Sequence, residues 1–257
     1  MGKLSGRTAI VTGGTDGIGY AIVSRLLDDG AKVLFCGRTQ ARGDEALRRL
    51  ANPDAHFMAT DVGEEGDVEA LIAHAVELFG GLDILVNNAA VAAVALIPEH
   101  STEDWRRSNA VNYDSVFFSS RAAIPHLRKT KGTIINIASI SGLGGEGAYP
   151  SYSAQKGAVI QLTRAMAVYH AREGVRINAI CPGFIETPAT DAFKALPDLL
   201  DRWIKEIPAQ RPGRPEEIAN LTAFLASDEA GFMFGSIVVA DGGVSAGSGQ
   251  PTQVPLG

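Results

Sequence analysis

Tyr152 and Lys156 stand four positions apart in the stretch AYPSYSAQKG, where a helix is predicted to begin. Four residues make about one helical turn, so both side chains project from one face, roughly 6 Å apart along the axis. Such a pair is either a plain surface contact or a phenol held beside an ammonium so that it can exchange a proton. At an effective dielectric near 20, an ammonium about 5.5 Å from a phenolate contributes roughly 3 kcal/mol, enough to lower a phenol pKa of about 10 by roughly two units. That shift would make Tyr152 a proton donor or acceptor near neutral pH. Tyr149 has Ser153 four positions later and gains no such help. Upstream, Ser139 closes the apolar run GTIINIAS and could hydrogen-bond a reacting oxygen, with Ser141 the weaker candidate.

A second cluster, TGGTDGIG, follows the β-branched run TAIV directly. Gly13, Gly17 and Gly19, with Thr15 and Ile18 between them, would let backbone N–H groups approach a diphosphate, and the next helix would turn its positive end towards that charge. The lysine of a nucleoside-triphosphate-hydrolysing loop is absent. At the end of the second strand, a carboxylate would hold both ribose hydroxyls of NAD. The stretch there is CGRT: Gly37 leaves room, and Arg38 could pair with the 2′-phosphate of NADP. Asp16 in the glycine loop opposes that phosphate, so NADP(H) is favoured while NAD(H) stays compatible. In TDV, Asp61, followed by Val62, either accepts from an adenine amino group or caps the next helix. Asn88 and Ala89 in NNAA form either a wall along the cofactor or a turn.

These residues need a scaffold that brings strand ends together, and the pattern supplies one. Seven apolar runs alternate with helical stretches: TAIV, KVLFC, HFMAT, LDILVNN, GTIINIAS, VRINAI and SIVVA. Strands apolar nearly throughout, spaced by helices, indicate a parallel sheet covered on both faces. The expected fold is α/β, a single doubly wound Rossmann-type domain over residues 1–257. In such a sheet ligands bind beyond the carboxyl ends of the strands, where every motif above falls. A long helix is predicted from Ser101, a good N-cap, past Asn112 towards His126. Pro150 suits the first turn of the tyrosine helix and Gly174 its stop. A helical lid is expected over about 188–208, with Phe193, Leu196, Leu199 and Trp203 available to cover a ligand, and a tail over about 246–257.

Composition excludes several classes. The net charge of −6 argues against a nucleic-acid footprint, and no apolar run approaches membrane-spanning length. Glycines interrupt the N-terminus before a signal-peptide core could form. Cys36 and Cys181 match no metal spacing and no disulfide framework, so a reducing cytoplasm is expected and no metal site.

Taken together and in order, TGGTDGIG, NNAA, the asparagine of AVNYDSVF, Ser139, YSAQK, CPGFIETP and the DGG at Asp241 resemble the short-chain dehydrogenase/reductase family over essentially the whole chain. The resemblance implies a catalytic tetrad of Asn112, Ser139, Tyr152 and Lys156. Tyr152 would protonate a carbonyl oxygen or deprotonate an alcohol, Ser139 would hold that oxygen, and Lys156 would lower the tyrosine pKa and grip the nicotinamide ribose. Asn112 would interrupt its helix and hold a proton-relaying water, although by itself it reads equally as an exposed helical asparagine. Pro182 and Gly183, after the sixth strand, are either cofactor-binding or an ordinary strand-ending turn, and the resemblance places Ile185 and Thr187 beside the nicotinamide carboxamide. Ala90 departs from the glycine that the family often has there.

The expected activity is an NAD(P)(H)-dependent interconversion of a ketone and a secondary alcohol. A 3-oxoacyl thioester, cyclic alcohol, steroid or sugar would each suit the mainly apolar walls, drawn from Leu143, Tyr149, Phe184 and the VAAVALIP loop. Glu146 disfavours an anionic substrate. The alternative is a catalytically silent NAD(P)-binding regulator. A methyltransferase shares the glycine loop but has no need of Tyr152 and Lys156. The apolar helix GAVIQLTRAMAV suggests a subunit interface, and the resemblance implies a homotetramer.

Overall fold

The computed structural model describes residues 2–247. Seven strands form one sheet: β1 (Thr8–Val11), β2 (Lys32–Gly37), β3 (Ala55–Ala59), β4 (Ile84–Asn87), β5 (Thr133–Ile137), β6 (Arg176–Pro182) and β7 (Ile237–Ala240). Their order is β3-β2-β1-β4-β5-β6-β7 and every pairing is parallel. Each strand lies within two residues of its expected position, because a strand buried on both faces has no polar alternation to blur it.

Side chains alternate between two cores. Ala9, Val11, Val33, Phe35, Ile84 and Val86 face α1 (Gly17–Asp28) and α8 (Pro215–Ala226), where Ile22, Leu26, Ile218 and Ala223 meet them. Ile10, Leu34, Cys36, Leu85 and Ile134 face the other way, onto α3 (Glu65–Phe79) and α5 (Ser115–Thr130). This period of two gives helices on both faces of the sheet. Both cysteines are free and buried, and burial pushes their thiols up to about 12 for Cys36 and about 11 for Cys181.

The strand order reverses direction between β1 and β4, opening a crevice at their carboxyl ends. Three local features aim residues into it. Asp16 caps α1 by accepting from Gly17 N at 2.8 Å. Pro150 starts α6 (Pro150–His170), and Gly174, at φ 80°, ends the turn that follows it. The helix expected from Ser101 does start with Ser101 as cap, accepting from Asp104 N, but it is broken. α4 (Thr102–Asn109) passes into a π turn at Ala110–Asp114 before α5. α2 (Gln40–Leu50) follows β2, and between β6 and α8, where a helical lid is expected, the chain forms a 3-10 segment at Pro188–Ala195 and α7 (Pro197–Glu206). The Phe193 side chain and the tail from residue 248 lie outside the described residues. Among the described residues no helix is long and apolar enough to cross a membrane.

Candidate active site

A cleft of about 1900 Å³ runs along the carboxyl ends of the strands. The glycine loop forms its floor. A Cβ on Gly19 would lie 2.0 Å from Gly13 O, and one on Gly13 would meet the Ala89 backbone at 2.9 Å, so neither site tolerates a side chain. Asn88 braces this loop, donating to Thr12 O at 2.9 Å and Gly13 O at 3.1 Å, while Thr12 Oγ1 accepts from the backbone of Asn88 and Ala89. Asn88 is therefore both wall and brace. Thr15, Gly17 and Ile18 complete this end, and Thr187 from the segment after β6 approaches Gly17 from above.

At the far end, Gly37 and Arg38 line the cleft where expected, and Arg42 joins them from the first turn of α2. Sequence reasoning missed Arg42, although its position one helical turn beyond Arg38 was a usable signal. Asp61 and Val62 also line this end. Asp61 does not cap α3, which starts after Glu64; it accepts from Gly63 N and from Arg107 Nη2 through both oxygens, at 2.9 and 2.8 Å. Burial alone would raise the Asp61 pKa, but Arg107, the Gly63 N–H and Arg38 hold it below the usual carboxylate range. Arg107, far off in sequence, carried no local signal.

Ser139, Tyr152 and Lys156 converge at the middle of the cleft. Lys156 Nζ lies 5.5 Å from the Tyr152 ring centroid and donates to Ile137 O at 2.8 Å. The electrostatics differ from the expected lowering of the phenol pKa. Burial drives the Tyr152 phenol up to about 12, with Glu146, Cys181 and Tyr149 adding to the rise and only Ser139 opposing it. Burial also pushes the Lys156 ammonium down to about 8. The sequence argument used the Coulomb attraction of the pair and omitted desolvation, which here is the larger effect. Ser139 donates to Ser141 Oγ at 3.1 Å, and Ser141 donates to Glu146 Oε2 at 2.6 Å.

Asn112 is fully buried in the π turn and does not line the cleft, so the exposed-helix reading fails. Its side chain is already engaged: Oδ1 accepts from Val91 N, and Nδ2 donates to Val91 O at 2.8 Å and to Gln155 Oε1 at 2.7 Å. Both of its amide N–H protons are thereby committed to protein acceptors. The residue ties the loop after β4 to α6 beside Lys156. Below it, Asn87 donates to Asn136 and accepts from Ser119, a buried polar layer across β4 and β5 that sequence reasoning did not find.

Comparison with known proteins bears on this arrangement. The family model described as enoyl-(acyl carrier protein) reductase matches residues 13–245. The meso-2,3-butanediol dehydrogenase of Serratia marcescens is 39% identical over 97% of this chain and 98% of its own. The chain is a short-chain dehydrogenase/reductase. The L-fucose dehydrogenase of Rattus norvegicus is 39% identical over 97% of this chain and 93% of its own. An NADP-dependent (R)-specific alcohol dehydrogenase of Lentilactobacillus kefiri is 37% identical over 95% and 98%. The crystal structure of gox2181 superposes with a TM-score of 0.91 at 33% identity, covering 95% of this chain and 98% of that one. This short-chain dehydrogenase/reductase is an NAD(P)-dependent oxidoreductase acting between alcohol and carbonyl.

The dehydrogenase's cleft fits a dinucleotide on its own geometry, since the Gly13–Gly19 cradle is open where a Cβ would close it. Pro182, Gly183 and Ile185 line the stretch beyond Tyr152. The substrate end is walled by Leu143, Tyr149, Phe184, Leu199 and Trp203, with the Phe184 and Trp203 rings 5.1 Å apart. Leu196 is exposed and outside the cleft. Of the VAAVALIP loop only Val91 and Ala92 reach it, while Val94, Leu96 and Ile97 face outwards.

Proposed function

We propose that this dehydrogenase oxidises secondary alcohols, and reduces the matching ketones, within one domain that holds both cofactor and substrate. Convergence of Ser139, Tyr152 and Lys156 beside the glycine-loop cleft carries the reading. A bound nicotinamide would supply or accept the hydride. Tyr152 moves the proton at its phenolic oxygen, Ser139 orients the substrate oxygen, and Lys156 holds the ribose while fixing the phenol. Burial holds the Lys156 ammonium near 8 and the Tyr152 phenol near 12, so of the two groups the lysine releases its proton first, at mildly alkaline pH. Asn112 fixes the loop and α6 around them.

Arg38 and Arg42 favour NADP(H) over NAD(H), because two guanidiniums beside Gly37 suit a 2′-phosphate. Gly13, Thr15, Gly17, Ile18 and Gly19 serve the diphosphate, Asp61, Val62, Asn88 and Ala89 the adenosine side, and Pro182, Gly183, Ile185 and Thr187 the nicotinamide side. Exposed Phe117 on α5 and Val168 and Tyr169 on α6 support association into a homotetramer. Two free buried thiols suit a cytoplasmic setting. The deciding experiment is turnover of a neutral secondary-alcohol panel with NADP⁺ by the wild type and by Tyr152→Phe. Turnover lost in the variant while NADPH still binds is the expected result. An equally active variant overturns the reading.

A further inference from the structure

Glu146 occupies an unusual place for a charge. It lies on the loop between Gly142 and α6, half-buried, and lines the cleft among Leu143, Tyr149 and Phe184. No basic side chain pairs with it among the described residues. Its Oε2 accepts from Ser141 Oγ at 2.6 Å, while Oε1 takes no hydrogen bond there. Ser141 is in turn 3.1 Å from Ser139 Oγ, and its backbone N–H also donates to Ser139 Oγ at 3.1 Å. The carboxylate thus stands two hydrogen bonds from the serine assigned to the reacting oxygen.

The direction of this chain follows from chemistry. A carboxylate only accepts, so Ser141 commits its proton to Glu146 and offers Ser139 a lone pair. Ser139 keeps a proton that can turn from Ser141 to a substrate oxygen. Next to it, Ser141 Oγ and Glu146 Oε1 present acceptors into the cleft and no donor. A half-buried carboxylate with a spare oxygen is poorly solvated and gains from a ligand O–H. The oxygens of a gauche vicinal diol are one hydrogen-bond length apart, which is also the spacing of Ser139 and Ser141 Oγ.

We propose that Glu146, held by Ser141, is a specificity residue that selects substrates carrying a second hydroxyl on the carbon next to the reacting carbinol: vicinal diols and their α-hydroxyketones. This rests on the placement of the reacting oxygen at Ser139 and Tyr152 proposed above, and it adds the group that the neighbouring carbon must bear. A charge-assisted hydrogen bond to such a hydroxyl corresponds to about 10- to 100-fold in kcat/KM.

The test compares 2,3-butanediol and 2-butanol as substrates with NADP⁺, for the wild type, Glu146→Gln and Glu146→Leu. The expected wild-type kcat/KM for the diol exceeds that for 2-butanol by about 10- to 100-fold. The ratio should shrink partly in Glu146→Gln, whose neutral amide oxygen still accepts, and fall to within about threefold of one in Glu146→Leu. A parallel titration of tryptophan fluorescence, which Trp203 in the cleft reports, should show the diol binding the wild type more tightly than 2-butanol and the difference vanishing in Glu146→Leu. A wild type with no diol preference or a ratio unchanged in Glu146→Leu overturns the proposal. Absence of turnover with every alcohol instead defeats the broader reading of the site, and the fluorescence arm still decides whether Glu146 selects the diol.

Discussion

Lys156 and Tyr152 lie with the ammonium 5.5 Å from the centre of the phenol ring, and the ammonium's own hydrogen bond goes to the Ile137 carbonyl. The lysine thus faces the ring while the sheet holds it. Burial drives the two pKa values apart, the phenol up to about 12 and the ammonium down to about 8. The pH dependence of the enzyme should carry that signature. Alcohol oxidation requires the pair to have released a proton, so kcat/KM should rise about tenfold per pH unit below an apparent pKa near 8 and level off above it. Rates measured from pH 6 to 10 check this, and a profile flat across pH 7–9 contradicts it.

The same burial has a stability consequence. The folded ammonium binds its proton less tightly than the unfolded one, about 8 against an ordinary 10.5. The penalty for burying it charged is therefore fully present below pH 8 and declines as pH rises towards 10.5. By linkage the relief amounts to about 3 kcal/mol. Lys156→Met should abolish this component, so the stability gap between variant and wild type, measured by urea unfolding, should narrow between pH 8 and 10. A gap independent of pH would count against the buried, lowered lysine.

Arg38 and Arg42 should read the 2′-phosphate. Arg38→Ala and Arg42→Ala are each expected to weaken NADPH binding about 10- to 100-fold, the size of a charge-assisted hydrogen bond, while NADH changes less than about threefold. Fluorescence titrations with both nucleotides measure it. Equal losses for the two would remove the phosphate assignment.

Gly19→Ala should close the cradle. Its methyl would arrive 2.0 Å from Gly13 O, and backbone is hard to displace. Binding of either nucleotide should fall at least about tenfold, since the N–H groups proposed to face the diphosphate would be pushed out of line. A fully active Gly19→Ala enzyme would show that the loop does not hold the diphosphate this way.

Asn112→Ala should act through position. It strips hydrogen bonds from the Val91 N–H and carbonyl and from Gln155, all near the site. Unsatisfied buried groups of this kind cost about 1–3 kcal/mol each, so a loss of about 3 kcal/mol or more is expected by thermal or urea unfolding. A variant as stable as the wild type would mean that solvent or a shifted side chain replaces all three bonds.

Local chemistry explains what could be read directly from the chain. Seven strands, the glycine loop before α1, Pro150 and the four-residue step from Tyr152 to Lys156 are each set by neighbours in sequence: β-branching, glycine's freedom, a fixed proline φ and the helical period. These placed nearly every candidate residue at the right sheet edge. Arg107 against Asp61, Asn112 between Val91 and Gln155, and Ser141 against Glu146 were not legible as contacts. Arg107 and Asp61, like Asn112 and Gln155, come from separate helices or loops, and the nearer Ser141 and Glu146 meet only because the loop folds back. The sign of the Tyr152 shift was decided there too, because desolvation depends on everything packed around the phenol and no residue spacing encodes it. The sequence by itself determined which groups stand at the strand ends; the tertiary structure decided how much water, and which partners, each of them keeps.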